Sequence, residues 1–146
     1  MPQPEVIVAA ARGWIGTPYQ HQASVKGAGA DCLGLLRGVW RELIGPEPTT
    51  IPAYAPDWSE TAGTEAFADA ARLWLCPKPP EAEALGDVVL FRMRAGAMAK
   101  HLGLISELGA FPRFIHAYSA HGVVETALSA PWRRKIVARF QFPEGH

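Results

Sequence analysis

The sequence predicts an α+β fold, with N-terminal helices packed on an antiparallel sheet of about five strands. Two observations carry this prediction. Apolar residues recur at helical spacing through the first half of the chain, up to the prolines Pro77, Pro79 and Pro80. After them come short apolar runs separated by turn residues, the mark of consecutive strands.

The first helix is read from Val6, Ala10 and Trp14, with Pro4 in its first turn and Gly16-Thr17-Pro18 as its end. A second helix runs from about Cys32 to Leu43. Leu35, Leu36, Val39, Trp40 and Leu43 share one face, Asp31 is its N-cap and Gly45-Pro46 its stop. Residues 46–58 contain Pro46, Pro48, Pro52 and Pro56, too many for regular structure, so an ordered surface loop is expected. A third helix is expected over Thr64–Leu75, with Phe67, Ala71, Trp74 and Leu75 inward. The strands are expected at Val88–Met93, His101–Ile105, Phe114–Tyr118, Gly122–Glu125 and Ile136–Phe140. The helical part (about 4–76) and the sheet part (about 86–142) each have too little apolar surface to stand alone. One domain over 1–146 is the expectation.

Composition narrows the function. Apolar residues make up 49% of the chain and charged residues 19%, as in a soluble globular protein. Fourteen basic and fourteen acidic side chains leave no net charge and no tail to attract nucleic acid or an anionic membrane. Arg133-Arg134-Lys135 is the one basic run, read as a solvated strand entrance. No apolar run approaches the roughly 20 residues of a membrane span. The N-terminus, Met1-Pro2-Gln3-Pro4-Glu5, lacks the basic start and apolar core of a signal peptide, so synthesis in the cytoplasm is expected. Cys32 and Cys76 are therefore expected as free thiols, with Cys76 a buried hydrophobe at an apolar helix end.

Cys32 has a different setting. It follows the small-residue stretch Gly27-Ala28-Gly29-Ala30 and opens the second helix. A helix N-terminus favours negative charge, and hence thiolate. A cysteine nucleophile also needs a base, and the base a third group to orient it. His101 at a strand start and His116 within the next strand fit these roles if the two rings share a sheet face. A requirement for thiolate Cys32 together with a protonated imidazole predicts a bell-shaped pH–rate profile within the window from about 5 to 9 that spans the reference His and Cys values. His21 reads as a surface-loop residue, His121 as a turn residue, and His146 is terminal.

Longer blocks carry a resemblance. Gly16-Thr17-Pro18-Tyr19, Lys26-Gly27-Ala28-Gly29 and Asp31-Cys32-Leu33-Gly34-Leu35 resemble the active-site helix entry of the NlpC/P60 cell-wall peptidases. Gly86–Phe91 resembles that family's first core strand and Lys100–Ile105 its base-bearing strand. Phe114–Ala117 with Gly122–Glu125 resembles the pair bearing the third polar residue. The blocks stand in family order over about residues 5 to 140. With Trp14 and Arg37-Gly38-Val39-Trp40-Arg41-Glu42, the pattern is similar to the short leaderless forms carried by tailed phages and gene transfer agents.

The resemblance implies a papain-like, NlpC-type fold and a thiol peptidase that cuts peptidoglycan stem peptides, without a cofactor. The family often cuts between D-γ-glutamate and a diamino acid. Cys32 would be the nucleophile, His101 the base and acid, His116 the group orienting His101, and Tyr19 an oxyanion-side group beside the Cys32 N–H. Asp31, His21 and Leu33 are implied to lie along the substrate groove, with Asp31 equally an N-cap. Leu33 replaces a common serine and His21 a common tryptophan, so bond specificity is not carried over. The implied partners are peptidoglycan peptide and tail-tip or hub proteins of a phage-like particle, and the implied site of action is the target cell envelope.

Three other readings fit parts of the pattern. One is a non-catalytic tail-tip or wall-binding component that keeps the peptidase fold. A second is a zinc site from His101, His116 and either His121 or Cys32, although the close paired spacing of structural zinc motifs is missing. The third keeps the fold but acts as an amidase or acyl transferase on another amide or ester.

Overall fold

The computed structural model describes residues 2–48, 71–93 and 101–143. Helix α1 (Pro4–Arg12) has Pro4 in its first turn, Glu5 near its positive end and Arg12 near its negative end. It buries Ile7, Val8 and Ala11, and Trp14 just beyond it is buried too. The buried stripe is thus Ile7–Ala11–Trp14 and not the expected Val6–Ala10–Trp14, and Val6 is 47% exposed. Adjacent β-branched residues make both stripes plausible in sequence. The contact with the second helix is fixed by Trp14, whose ring lies where a Cβ on Gly38 would stand and whose Nε1 donates to Glu42 Oε1 at 3.0 Å.

A small hairpin, β1 (Ser24–Val25) paired with β2 (Gly29–Ala30), leads into α2 (Cys32–Leu43). The buried face of α2 holds Leu35, Leu36, Val39 and Trp40, as the spacing predicts. Each such side chain contributes roughly 1.5–3 kcal/mol when fully buried. Beyond Leu43, Gly45 takes a φ of 139° that continues no helix. Of the proline-rich loop only residues 46–48 are described, and of the expected third helix only its end. Residues 71–74 are helical, and Ala71, Trp74 and Leu75 are buried. Phe67 and the rest of that expected helix lie outside the described residues.

Among the described residues the main sheet has six strands in the order β3-β8-β4-β5-β6-β7, all antiparallel. They are β3 (Cys76–Lys78), β4 (Val88–Phe91), β5 (His101–Glu107), β6 (Arg113–Tyr118), β7 (Gly122–Ala127) and β8 (Ile136–Gln141). Strand β3 is the addition to the five expected. It corrects the reading of Cys76, which is exposed on an edge strand opposite Gln141 and not buried at a helix end. Pro77 cannot continue a helix but is tolerated at a sheet edge.

The sheet is covered on both faces. Val88, Leu90, Leu102, Leu104, Ile115 and Phe140 face the core shared with α1 and α2. Val89, Phe91, Ile105 and Phe114 face the other way, under Leu128 and Trp132. Trp132 belongs to a short helix, Ala130–Arg134, so Arg133 and Arg134 end a helix where a strand entrance was expected. At the opposite side of the sheet Asp87 accepts from Arg139 Nη1 at 2.9 Å and Lys78 Nζ at 2.8 Å, which pins β3, β4 and β8 together.

Candidate active site

Cys32 is the first residue of α2, and the chain before it is built to hold it there. Asp31 caps the helix, with Oδ1 accepting from the Gly34 N–H at 2.7 Å and Oδ2 from the Gln22 N–H at 2.7 Å. Gly34 allows the closest approach, because a Cβ there would collide with the Ala23 carbonyl. Ser24 Oγ donates to the Gly34 carbonyl at 2.7 Å. These contacts lock the 20–24 segment against the first turn of α2.

The backbone N–H groups of Leu102, Leu33 and Cys32 itself are near enough to the Cys32 sulfur to favour its thiolate. Leu102 follows His101, so the thiol stands at the start of β5. In β5 the alternation puts His101 on the face of Ile105, and the pairing of Ile105 with Phe114 puts His116 on that same face. His101 Nε2 and His116 Nδ1 are 2.8 Å apart, and His116 Nε2 is 2.9 Å from Thr126 Oγ1. The structure therefore brings the two strand histidines together as expected and adds Thr126 behind them. Thr126 shares a β7 face with Val124, which pairs with His116. Period-2 alternation marks that face, but cross-strand register decides it.

Aromatic rings enclose the histidine pair. Tyr118 stacks on His116 with centroids 5.2 Å apart, and Trp132 stands edge-on to His116 at 5.2 Å and tilted to His101 at 6.0 Å. His121 closes the turn after β6 and stacks on Tyr118 at 5.3 Å, its planes only 7° apart. Burial pushes His101 down to about 3, with the His116 charge as a second cause. Burial, then the His121 charge, pushes His116 down to about 4. Both rings are neutral at pH 7.

Burial also pushes the Cys32 thiol up to about 12, and the Asp31 charge adds to this. The N–H groups of Leu102, Leu33 and Cys32 act in the opposite sense. The helix-start effect expected from sequence is thus present but outweighed by desolvation. The site thus holds a neutral thiol at the start of α2 and, at the start of β5, a neutral imidazole whose Nε2 is held by a second imidazole. Such a set suits proton transfer at the moment of attack, in place of a standing ion pair.

The remaining expected residues have varied places. Tyr19 bridges to Ala30, the residue two before Cys32, and is 37% exposed. Its hydroxyl is pushed up to about 12, by burial and then by the charges of Cys32 and Asp31, so it stays protonated and able to donate. His21 Nδ1 lies 3.9 Å from Asp31 Oδ2. Asp31 is 3% exposed, which makes the N-cap its evident structural task. Leu33 is 5% exposed and packs in the core. Among the described residues no group of three or more His, Cys, Asp and Glu side chains is placed to hold a metal ion, and no helix is long and apolar enough to cross a membrane.

Comparison with solved structures defines the fold class. A crystal structure from Staphylococcus aureus, described as similar to lipoprotein and of the NLP/P60 family, matches 97% of this chain at 21% identity and a TM-score of 0.60. An NlpC/P60 family protein from Bacillus cereus matches 97% at 17% identity and a TM-score of 0.65. The chain therefore has the mixed helix and antiparallel-sheet fold of NlpC/P60 proteins. It spans 42% and 40% of the lengths of those two chains. Comparisons with protein-family models and with curated proteins find no match.

Proposed function

We propose that this protein is a cysteine peptidase that hydrolyses peptide bonds in peptidoglycan stem peptides. One observation carries the reading. His101 Nε2 and His116 Nδ1 lie 2.8 Å apart, the base-and-orienter pair that a cysteine at a helix start requires. Cys32 attacks the scissile carbonyl as its proton passes to His101, giving a tetrahedral adduct. The Cys32 N–H and the Tyr19 hydroxyl donate to its oxyanion. Collapse expels the amine, which takes the proton back from His101, and leaves a thioester on Cys32. Water, deprotonated by His101, then releases the acid and regenerates the thiol.

The fold likeness supports the cell-wall assignment, since the two matched structures carry the NlpC/P60 family name. The motif blocks from Trp14 to Glu42 support a narrower setting, a single peptidase domain carried on the tail of a phage-like particle or gene transfer agent. It would be made in the cytoplasm, join tail-tip or hub proteins and act in the target cell envelope. The γ-D-glutamyl–diamino acid bond is the substrate bond within this reading. The test is solubilisation of purified peptidoglycan, scored as new amino termini, by the wild type and by Cys32→Ala. The wild type is expected to release them and the variant to fall to background. Release that survives the substitution would sink the thiol mechanism.

A further inference from the structure

We infer that Thr126 is a positioning residue that sets the proton arrangement of the histidine pair. This rests on the peptidase reading for its consequence, though not for its geometry. His101 Nε2 is engaged with His116 Nδ1 at 2.8 Å, which leaves Nδ1 as the nitrogen able to take a proton from a thiol. A neutral imidazole carries one N–H. If Nδ1 of His101 is to be empty, its proton stands on Nε2 and is donated to His116 Nδ1. His116 Nδ1 must then be an acceptor, so the His116 proton stands on Nε2.

That proton points at Thr126 Oγ1, 2.9 Å away. The hydroxyl oxygen accepts it, and the chain Cys32 to His101 to His116 to Thr126 runs in one direction. In the opposite arrangement Thr126 donates to His116 Nε2, His116 Nδ1–H donates to His101 Nε2, and His101 carries its proton on Nδ1. That form cannot accept a proton from Cys32. The choice between the two therefore lies at the far end of the chain, with the group that meets His116 Nε2.

The surroundings make the choice matter. His116 is 1% exposed and ringed by Phe114, Tyr118 and Trp132, so water is a poor substitute for Thr126. Without the hydroxyl, His116 Nε2–H loses its partner, and moving the proton to Nδ1 relieves this by reversing the chain. Thr126 itself faces its neighbours across β6, with Phe114 directly opposite, and is not part of the Cys32 helix.

The experiment compares Thr126→Val, which keeps shape and removes the hydroxyl, with Thr126→Ser, which keeps the hydroxyl. Imidazole nitrogen-15 spectra of the full chain read the proton positions at pH 7 directly. The wild type and Thr126→Ser are expected to show protonated Nε2 on both histidines, and Thr126→Val a shift toward protonated Nδ1. With peptidoglycan stem peptide, kcat for Thr126→Val is expected to fall roughly ten- to a hundred-fold with KM little changed, the scale of one hydrogen-bond partner lost to a buried imidazole. Thr126→Ser is expected to restore most of it. Wild-type proton positions and wild-type kcat in Thr126→Val would overturn the inference. A shifted spectrum with no catalysis by the wild type would leave Thr126 in this role and reject the peptidase reading instead.

Discussion

Desolvation governs the protonation of Cys32 and His101, and it moves them in opposite directions. The thiol is held up at about 12 and the imidazole down at about 3. The form with a neutral thiol and a neutral ring then dominates over a wide range. It is lost in acid only as His101 protonates, and in base only as Cys32 ionises. We therefore expect kcat/KM to be flat between roughly pH 5 and 9, without inflections near the reference values of about 6.5 and 8.5. This replaces the narrower bell expected from the sequence, which rests on the reference His and Cys values and leaves burial out. An acid limb centred near 6.5 would show instead that His101 is solvated. The profile is measured on a soluble stem peptide.

At the level of elements, α2 is the piece on which the site depends, and its N-terminus rests on Asp31. Removing that carboxylate in Asp31→Ala strips the cap of the Gly34 N–H and a partner of the Gln22 N–H. The expected loss is about 1–2 kcal/mol in chemical denaturation, with a larger fall in turnover as Cys32 loses its fixed place. An unchanged denaturation midpoint would show that the cap is replaced by water.

Helix α2 was legible in sequence because its cap, apolar stripe and Gly45-Pro46 stop are all local signals. Strand β3 was not, since three residues around Pro77 carry no pattern and form a strand only by pairing with β8. The short helix Ala130–Arg134 has no cap hydrogen bond from its side chain and no buried residue of its own to mark it, and Trp132 is placed by the rings it covers. In the candidate site, the proximity of His101 and His116 was readable by residue type and order. Thr126 was not, because its contact depends on the β6–β7 register. Leu33, like Cys32 before it, packs in the core once the helix forms, which residue order alone does not reveal.

Across the whole molecule, two buried neutral histidines tie stability to pH. Their folded values, about 3 for His101 and about 4 for His116, lie below the unfolded value of about 6.5. Below 6.5 the unfolded chain binds protons that the folded chain refuses, so stability falls as pH drops through that value toward the folded ones. Each histidine is expected to withdraw about 2 kcal/mol by pH 5. Glu125 and Glu47, both lowered despite burial by their arginine partners, add a further loss below about pH 4.5. Urea unfolding at pH 7 and pH 5 measures the first effect, and His116→Asn should show about half the difference. Equal stability at both values would mean that the rings titrate as if exposed.

In the proposed reaction Cys32 forms a covalent intermediate with wall peptide. Intact-mass analysis of an acid-quenched reaction tests it, using stem peptide and a Cys76→Ser background that removes the exposed thiol. An acyl fragment is expected on Cys32 as product appears, and neither adduct nor product from the same protein carrying Cys32→Ala. Product formed by that variant at an undiminished rate would contradict it.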